Sequence, residues 1–179
     1  MGMNKNVELR RITIRDMDDY CRITEENYAT MSKNGVKPVI GEDKKMLLFG
    51  QIQRSYTMNY MYTAWRFAVC CDNKFVGMVS IKIAKIDDKS HSATIGYSID
   101  RRMHSQGIGT EVIRKILLQI RYNMENIAGR EVNVRWVEAD VLKSNTASRI
   151  VLERNGFGIV DDKDGVYKYR RTYEEKRKW

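Results

Sequence analysis

The feature that most constrains the fold is a glycine turn between an apolar strand pattern and a long amphipathic helix. Glycine lets the backbone turn tightly and approach a ligand with no Cβ in the way. The first N–H groups of the following helix have no intrahelical partner, and the positive end of the helix dipole lies at the same point. The turn therefore predicts a site for phosphate or pyrophosphate, against the plainer alternative of a glycine near a helix cap. Its residues are His104, Ser105, Gln106, Gly107, Ile108, Gly109 and Thr110.

Two known phosphate-binding patterns do not fit this turn. A dinucleotide fingerprint requires a third glycine where this chain has Val112, and a Walker loop requires Gly-Lys-Ser/Thr after its glycines. The turn therefore indicates an anion site of another kind.

Composition and charge limit the classes to which the chain can belong. Its 179 residues are 42% apolar and 31% charged, which favours one domain over residues 1–179 with a core at about 7–171. No run of about 18 apolar residues predicts a membrane span. The polar N-terminus lacks the apolar core of a signal peptide, so we expect a cytoplasmic protein.

The net charge of +9 favours an anionic partner, such as cofactor phosphates, RNA or a ribosomal surface. A merely solvated basic surface is the equal alternative.

The cysteines and histidines indicate neither a disulfide nor a metal centre. Cys70 and Cys71 are adjacent, so they point to opposite faces of a strand. The third cysteine is Cys21, and His91 and His104 do not complete a zinc spacing. We expect all three cysteines to be small buried side chains.

Hydrophobic periodicity predicts an α/β domain with a mixed, mainly antiparallel sheet of about seven strands and about four helices. The predicted strands are Val7–Ile14, Trp65–Cys71, Phe75–Ile86, Ala93–Ile99, Val132–Leu142, Phe157–Val160 and Val166–Arg171, with a turn at Asp161–Gly165. The predicted helices are Asp16–Tyr28, Glu42–Tyr60, Thr110–Ala128 and Asn145–Asn155, with a loop at Ser32–Gly41. In the last helix we expect Ala147, Ile150 and Val151 to face inward.

Two linked motifs resemble those of the GNAT acetyltransferase superfamily. The first is the strand Ala93–Ile99 followed by Gln106–Thr110, which is similar to that family's acetyl-CoA pyrophosphate loop. The second is Asn145–Phe157, which matches the Asn-x-x-Ser…Leu-Glu-x-x-Gly-Phe pattern of the subgroup containing ribosomal-protein N-terminal acetyltransferases. The resemblance covers about Val7 to Arg171.

The resemblance implies acetyl-CoA as the cofactor and a splayed pair of strands as its site. The pyrophosphate would lie on Gln106–Thr110, and the backbone of Tyr97, Ser98 and Ile99 would hold the pantetheine arm as an added strand would. One of these N–H groups would face the thioester oxygen. Asn145 would contact the pantetheine in addition to capping its helix.

The chain departs from the family's pattern at three positions. His104 stands where Gln or Arg is usual, and we favour an exposed loop histidine over a phosphate ligand. Thr94 stands where many members have a glutamate base, and Leu152 where relatives often have a tyrosine proton donor.

Other residues are therefore candidates for the acid and base. Asp140 is the first candidate for the base and Glu138, on the same strand face, the second. A structural ion pair is an equal alternative for each. Ser148, as the subgroup's hydroxyl near the sulphur, is the candidate for the acid, and its alternative is bonding to backbone in the first helical turn.

These observations predict an acetyl-CoA-dependent N-acetyltransferase that acts by direct attack of an amine in a ternary complex. The acceptor, expected to enter past the helices of Asp16–Tyr60, is a protein N-terminus or a small-molecule amine such as a polyamine or an antibiotic. A catalytically idle acyl-CoA-binding regulatory domain is the alternative from another class, and an RNA-binding protein ranks last because no aromatic-basic motif is present. No membrane partner is expected, and a homodimer stays open.

Overall fold

The structure is built on a seven-stranded sheet with strand order β1-β2-β3-β4-β5-β7-β6. The computed structural model describes residues 6–27, 42–57, 65–122 and 132–173. The strands are β1 (Val7–Arg11), β2 (Trp65–Cys71), β3 (Lys74–Lys85), β4 (His91–Ile99), β5 (Val134–Leu142), β6 (Gly158–Lys163) and β7 (Val166–Thr172). The helices are α1 (Met17–Glu26), α2 (Glu42–Thr57), α3 (Ile108–Tyr122) and α4 (Thr146–Arg154), and 3₁₀ turns lie at Ile14–Asp16 and Arg101–Met103. Within these ranges no helix is long and apolar enough to cross a membrane.

Neighbouring strands pair antiparallel, except that β4 and β5 run parallel. The predicted fold class, a mixed and mainly antiparallel sheet with flanking helices, is confirmed. The predicted helix ends at Tyr28, Tyr60 and Ala128 lie outside the described residues, as does the loop at Ser32–Gly41.

The first strand is shorter than predicted. β1 ends at Arg11 rather than Ile14 because Asp16 draws the chain into a 3₁₀ turn. The Asp16 carboxylate accepts hydrogen bonds from the N–H and hydroxyl of Thr13, at 2.7 and 2.9 Å, and from the guanidinium of Arg10. The predicted helix begins at Asp16, whereas α1 begins at Met17, and the Asp16 carboxylate closes this turn and does not cap the helix.

The terminal hairpin has a tighter turn than predicted. Asp161 and Asp162 belong to β6, and the turn consists of Asp164 and Gly165, whose φ angles are 51° and 79°. Two consecutive residues with positive φ make the type I′ turn that matches the twist of paired strands. The acidic run therefore extends the strand, and only its last residue and the glycine form the turn.

The sheet buries a separate apolar core on each face. One core joins the sheet to α3 and α4 and contains Cys71, Val112 and Leu152. The other joins β2 and β3 to α1 and α2 and contains Cys70 and Ile52. The adjacent cysteines therefore lie buried on opposite faces, as the alternation of a strand predicts.

The inward face of α4 differs from the prediction. Leu152 is fully buried, whereas Ala147 and Ile150 are exposed. The inward row also includes Asn155, whose amide donates to the Thr110 carbonyl of α3 at 3.2 Å. Periodicity based on apolar residues alone missed this row because part of it is polar.

The parallel ladder between β4 and β5 is short. It runs from His91↔Val134 to Thr94↔Glu138, while β4 stays paired with β3 as far as Ile99. Beyond the Thr94↔Glu138 rung, each of the two strands pairs only with its outer neighbour among the described strands. The predicted splayed pair is therefore present. We call the gap that opens between β4 and β5 beyond this rung the fork.

Candidate active site

The pairing of β4 with β3 decides which backbone groups of β4 face the fork. The N–H of Asp100 donates to the Val76 carbonyl at 2.8 Å, and the β3–β4 register has no irregularity. In an antiparallel ladder the residues that bond to a given neighbour alternate. The backbone groups of Ser98 therefore face β3, and those of Tyr97 and Ile99 face the fork. Of the three residues predicted to hold the pantetheine through their backbone, Ser98 turns its N–H and carbonyl away from the fork.

Ile99 offers only its N–H to the fork because its carbonyl is already bonded. That carbonyl accepts hydrogen bonds from Nδ2 of Asn27 and from Nε2 of His104, both at 3.0 Å. Asn27 also donates to the Ser98 hydroxyl at 2.7 Å. His104 is exposed, as expected, and it fastens the glycine turn to the end of β4. The fork thus presents the N–H and carbonyl of Tyr97 and the N–H of Ile99.

Asp100 anchors the start of the turn between β4 and α3. Its buried carboxylate accepts hydrogen bonds from the backbone N–H and guanidinium of Arg102 and from Arg22 of α1. The bonds from Arg102, together with Arg22, hold the pKa of Asp100 well below its usual range, although burial acts in the opposite direction. The turn is therefore fixed both locally and to α1.

The glycine turn ends in the free N-terminus of α3, which begins at Ile108, before the predicted Thr110. Its first intrahelical bond runs from the Glu111 N–H to the Gly107 carbonyl, at 3.1 Å. The N–H groups of Ile108, Gly109 and Thr110 precede that bond, so they and the helix dipole attract an anion. This arrangement agrees with the predicted phosphate site, which stays a prediction.

The two glycines of the turn have different roles. Gly107 has a φ of +79°, and a Cβ built there would meet no atom of the described residues within 4 Å, so Gly107 lies beside open space among them. A Cβ on Gly109 would lie 3.4 Å from Val151 of α4, so this glycine allows α3 and α4 to pack closely. The Gln106 side chain donates to the Arg102 carbonyl at 3.1 Å and thereby closes the turn.

One face of the fork carries two hydroxyl groups. Tyr97 Oη and Ser148 Oγ lie 2.9 Å apart. The Ser148 N–H donates to Oδ1 of Asn145 at 3.1 Å, so Asn145 is the predicted N-cap of α4. Burial raises the pKa of Tyr97 to about 12. This hydroxyl therefore keeps its proton at neutral pH.

The opposite face carries both candidate bases. Glu138 is half-buried, and its Oε1 accepts hydrogen bonds from Nε and Nη2 of Arg170 at 2.9 and 2.6 Å. The Arg170 guanidinium stacks 4.9 Å from the ring centre of Trp136. Asp140 is exposed and lies opposite Lys168 in register, without an ion pair to any residue that the structure describes. Glu138 is therefore ion-paired, whereas its role as a base stays a prediction.

Comparison with known proteins decides the family. The model of the acetyltransferase (GNAT) domain matches residues 6–158 of this chain. The chain belongs to the GNAT acetyltransferase family. Enzymes of this family use acetyl-CoA, and the chain is accordingly an acetyl-CoA-dependent N-acetyltransferase.

Individual relatives agree with this assignment. A probable N-acetyltransferase of Bacillus subtilis (strain 168), YjcK, is 23% identical over 165 residues, which cover 88% of this chain and 83% of that protein. A crystal structure of a probable acetyltransferase has a TM-score of 0.74 at 20% identity and covers 100% of this chain and 97% of its own. RimL, a ribosomal L7/L12 α-N-protein acetyltransferase in complex with coenzyme A, has a TM-score of 0.63 at 20% identity and 96% coverage of both chains.

The residues of the fork fit acetyl-CoA. The pantetheine arm carries amide groups that match the N–H and carbonyl of Tyr97 and the N–H of Ile99. The N-terminus of α3 and the open space at Gly107 suit a pyrophosphate. Three residues outside the predicted set hold parts of the site in place. Asn27 and Arg170 gave no signal in the sequence, whereas Asp100, two residues before an arginine, is a recognisable turn cap.

The two glycines Gly107 and Gly158 give a matched test of the phosphate site. Gly107→Ala puts a Cβ into a left-handed position and into the open space, so it should cost about 1 kcal/mol of stability and weaken coenzyme A binding about tenfold. Gly158→Ala on β6 also meets no atom within 4 Å and has no positive φ. Calorimetric titration with coenzyme A should find the Gly158 variant unchanged. Equal affinities of both variants would contradict a phosphate site at Gly107.

Proposed function

We propose that this enzyme acetylates a primary amine by direct attack in a ternary complex, with the acceptor entering over the face that carries Glu138. The observation that supports this most is the division of the fork into two chemical faces. Carboxylates lie on one face and the Tyr97–Ser148 hydroxyl pair on the other. Attack and departure at one carbonyl carbon need a proton acceptor and a hydrogen-bond donor on different sides.

The edge of β4 would orient the acetyl group between these faces. Acetyl-CoA supplies an activated acetyl thioester. Beyond Ile95, the first N–H of β4 that faces the fork is that of Tyr97. This N–H would donate to the acetyl oxygen and stabilise the negative charge that develops there. A backbone donor held by the β3–β4 ladder needs no reorganisation for this task.

Glu138 is the carboxylate we favour as the base. It is paired with Thr94 at the last rung, so it lies about 4.8 Å along the sheet from the position where many family members have a glutamate. Both hydrogen bonds from Arg170 end on Oε1, and within the described residues Oε2 accepts none. Oε2 would therefore accept, through a water molecule, the proton that the attacking amine loses. Asp140, the first candidate from the sequence, is more exposed and lies farther from the Thr94↔Glu138 rung, so it becomes the second candidate.

On the other face, Ser148 would donate a hydrogen bond to the sulphur while the C–S bond breaks. Its Oγ has Tyr97 as partner, so the predicted alternative of bonding to the backbone is not the arrangement of this hydroxyl among the described residues. Leu152, at the position where relatives have a tyrosine, is fully buried and cannot donate.

The acceptor class follows from the chemistry of amines together with the subgroup resemblance. Reference pKa values are about 8 for an α-amino group and about 10.4 for lysine, so at pH 7 about 10% of the former and about 0.04% of the latter is neutral. A site whose nearest carboxylate is shared with an arginine therefore suits an α-amino group. RimL acts on such a group, and we propose a protein N-terminus as the acceptor.

An acceptor panel tests this proposal. Release of the coenzyme A thiol would be followed with a peptide bearing a free N-terminus, the same peptide with a blocked N-terminus and an internal lysine, and spermidine. We expect release with the free N-terminus and less than a tenth of that rate with the other two. Release with spermidine alone would contradict the N-terminal acceptor, and release with no amine would contradict transfer.

Glu138→Gln and Asp140→Asn distinguish the two candidate bases. Each change removes one negative charge and keeps an oxygen acceptor on the same strand face. We expect Glu138→Gln to lower kcat about 100-fold with unchanged coenzyme A affinity, because a positioned base contributes about that much. Asp140→Asn should lower kcat less than about threefold. The opposite order would assign the base to Asp140.

A further inference from the structure

The hydroxyl pair of Tyr97 and Ser148 bridges the two halves of the fork on the α3–α4 side. Tyr97 belongs to β4, and Ser148 to the first turn of α4, which follows β5 in the chain. Their oxygens lie 2.9 Å apart, and either hydroxyl could donate. Which of them donates decides where the remaining hydrogen points.

We propose that Tyr97 is a positioning residue for thiolate departure: its hydroxyl donates to Ser148 Oγ and thereby turns the Ser148 hydrogen toward the sulphur of acetyl-CoA. This inference rests on the proposed role of Ser148 and adds a side-chain role for Tyr97 to the backbone role described above. The backbone and the side chain of one residue would thus act on the two ends of the thioester.

Both partners are held in place by their surroundings. Tyr97 packs against the core beneath α3, and a Cβ on Gly109 would lie 3.7 Å from its ring. The Ser148 backbone is fixed by its hydrogen bond to Asn145. The distance between the two hydroxyls is therefore set by the packing of β4, α3 and α4, and neither side chain must move to keep the bond.

The direction of the bond follows from the acceptors available. Tyr97 is partly buried, and Ser148 Oγ is the hydrogen-bond partner of its hydroxyl among the described residues. Polar groups withdrawn from water need a partner, and in the proposed arrangement Tyr97 donates to this oxygen. A phenol is also a better donor than an alkyl hydroxyl. The reverse direction would use the Ser148 hydrogen inside the pair, and the hydrogen left to point elsewhere would then be that of Tyr97.

Tyr97 orients Ser148 and is not itself a source of protons. Burial raises the pKa of Tyr97 to about 12, far above the reference value of about 8.5 for a thiol. An alkyl hydroxyl is a weaker acid still. Neither hydroxyl therefore gives up its proton: Ser148 stabilises the negative sulphur by a hydrogen bond, and the sulphur takes its proton from water. The C–N bond forms, the C–S bond breaks, and the amine proton leaves on the Glu138 face.

A double-mutant cycle tests this arrangement. Tyr97→Phe, Ser148→Ala and the double variant would be compared in kcat, in calorimetric affinity for coenzyme A, and in Tm. We expect each single change to lower kcat about tenfold, which is the worth of one hydrogen bond. The double variant should be no slower than Ser148→Ala, because Tyr97 acts through Ser148. Affinity for coenzyme A should stay within about twofold.

Tyr169→Phe is the matched control. It removes the hydroxyl of Tyr169, a fully buried residue that takes no part in the Tyr97–Ser148 pair. This hydroxyl donates to Glu153, and the two oxygens lie 2.8 Å apart. Its Tm should fall while its kcat stays that of the natural chain. A Tyr97→Phe variant with the same pattern would overturn the proposal, because its effect would then be on stability alone.

The remaining outcomes separate this inference from the function on which it rests. If Ser148→Ala is slow and Tyr97→Phe is as fast as the natural chain, Ser148 acts without Tyr97 and the inference is wrong. Losses that multiply in the double variant also overturn it. If Ser148→Ala transfers acetyl groups at the natural rate, the proposed role of Ser148 fails, and the inference fails with it.

Discussion

The short ladder between β4 and β5 is the constraint on which the site depends. Pairing ends at Thr94↔Glu138, although β4 runs on to Ile99 and β5 to Leu142. Peptide groups withdrawn from water need partners, so an edge opened in the middle of a sheet is costly unless something else bonds to it. The β3–β4 ladder keeps that edge straight, and the fork leaves the backbone of Tyr97 to receive an extended ligand with amide groups of its own.

The residues at the far end of the fork decide how long this free edge is. Asn27 and His104 bond to the Ile99 carbonyl, and Asp100 turns the chain toward α3. The helix dipole and the first N–H groups of α3 therefore begin directly where the edge stops. A single ligand that is amide-rich at one end and anionic at the other matches this succession. Because Arg22 of α1 bonds to Asp100, the N-terminal helix also stabilises the proposed cofactor site.

The sequence predicted those parts of the fold that depend on local signals. Strand alternation and turn residues predicted the order of the elements, and Gly107 and Asn145 were recognisable because a left-handed turn and a helix cap favour these residue types. The phase of α4 was wrong because its inward row includes Asn155, which bonds to α3. The end of β1 was wrong because Asp16 bonds backward to Thr13.

The chemistry of the site depends on contacts between residues distant in sequence, which periodicity cannot reveal. Glu138 lies at the fork only because β5 is in that register with β4, and the arginine that orients it comes from β7. Tyr97 meets Ser148 only because α4 packs on α3. The backbone of Ser98 faces β3 and not the fork because of the parity of the β3–β4 ladder, which one residue of register shift would reverse.

Hydrogen exchange of single backbone amides, followed by NMR with and without coenzyme A, tests the central claim most directly. Because its N–H is bonded to β3, the Ser98 amide should exchange slowly in both states. The Tyr97 and Ile99 amides, which face the fork, should exchange quickly in the free protein and slowly when coenzyme A is bound. Coenzyme A binding that leaves these two amides unprotected would contradict the account.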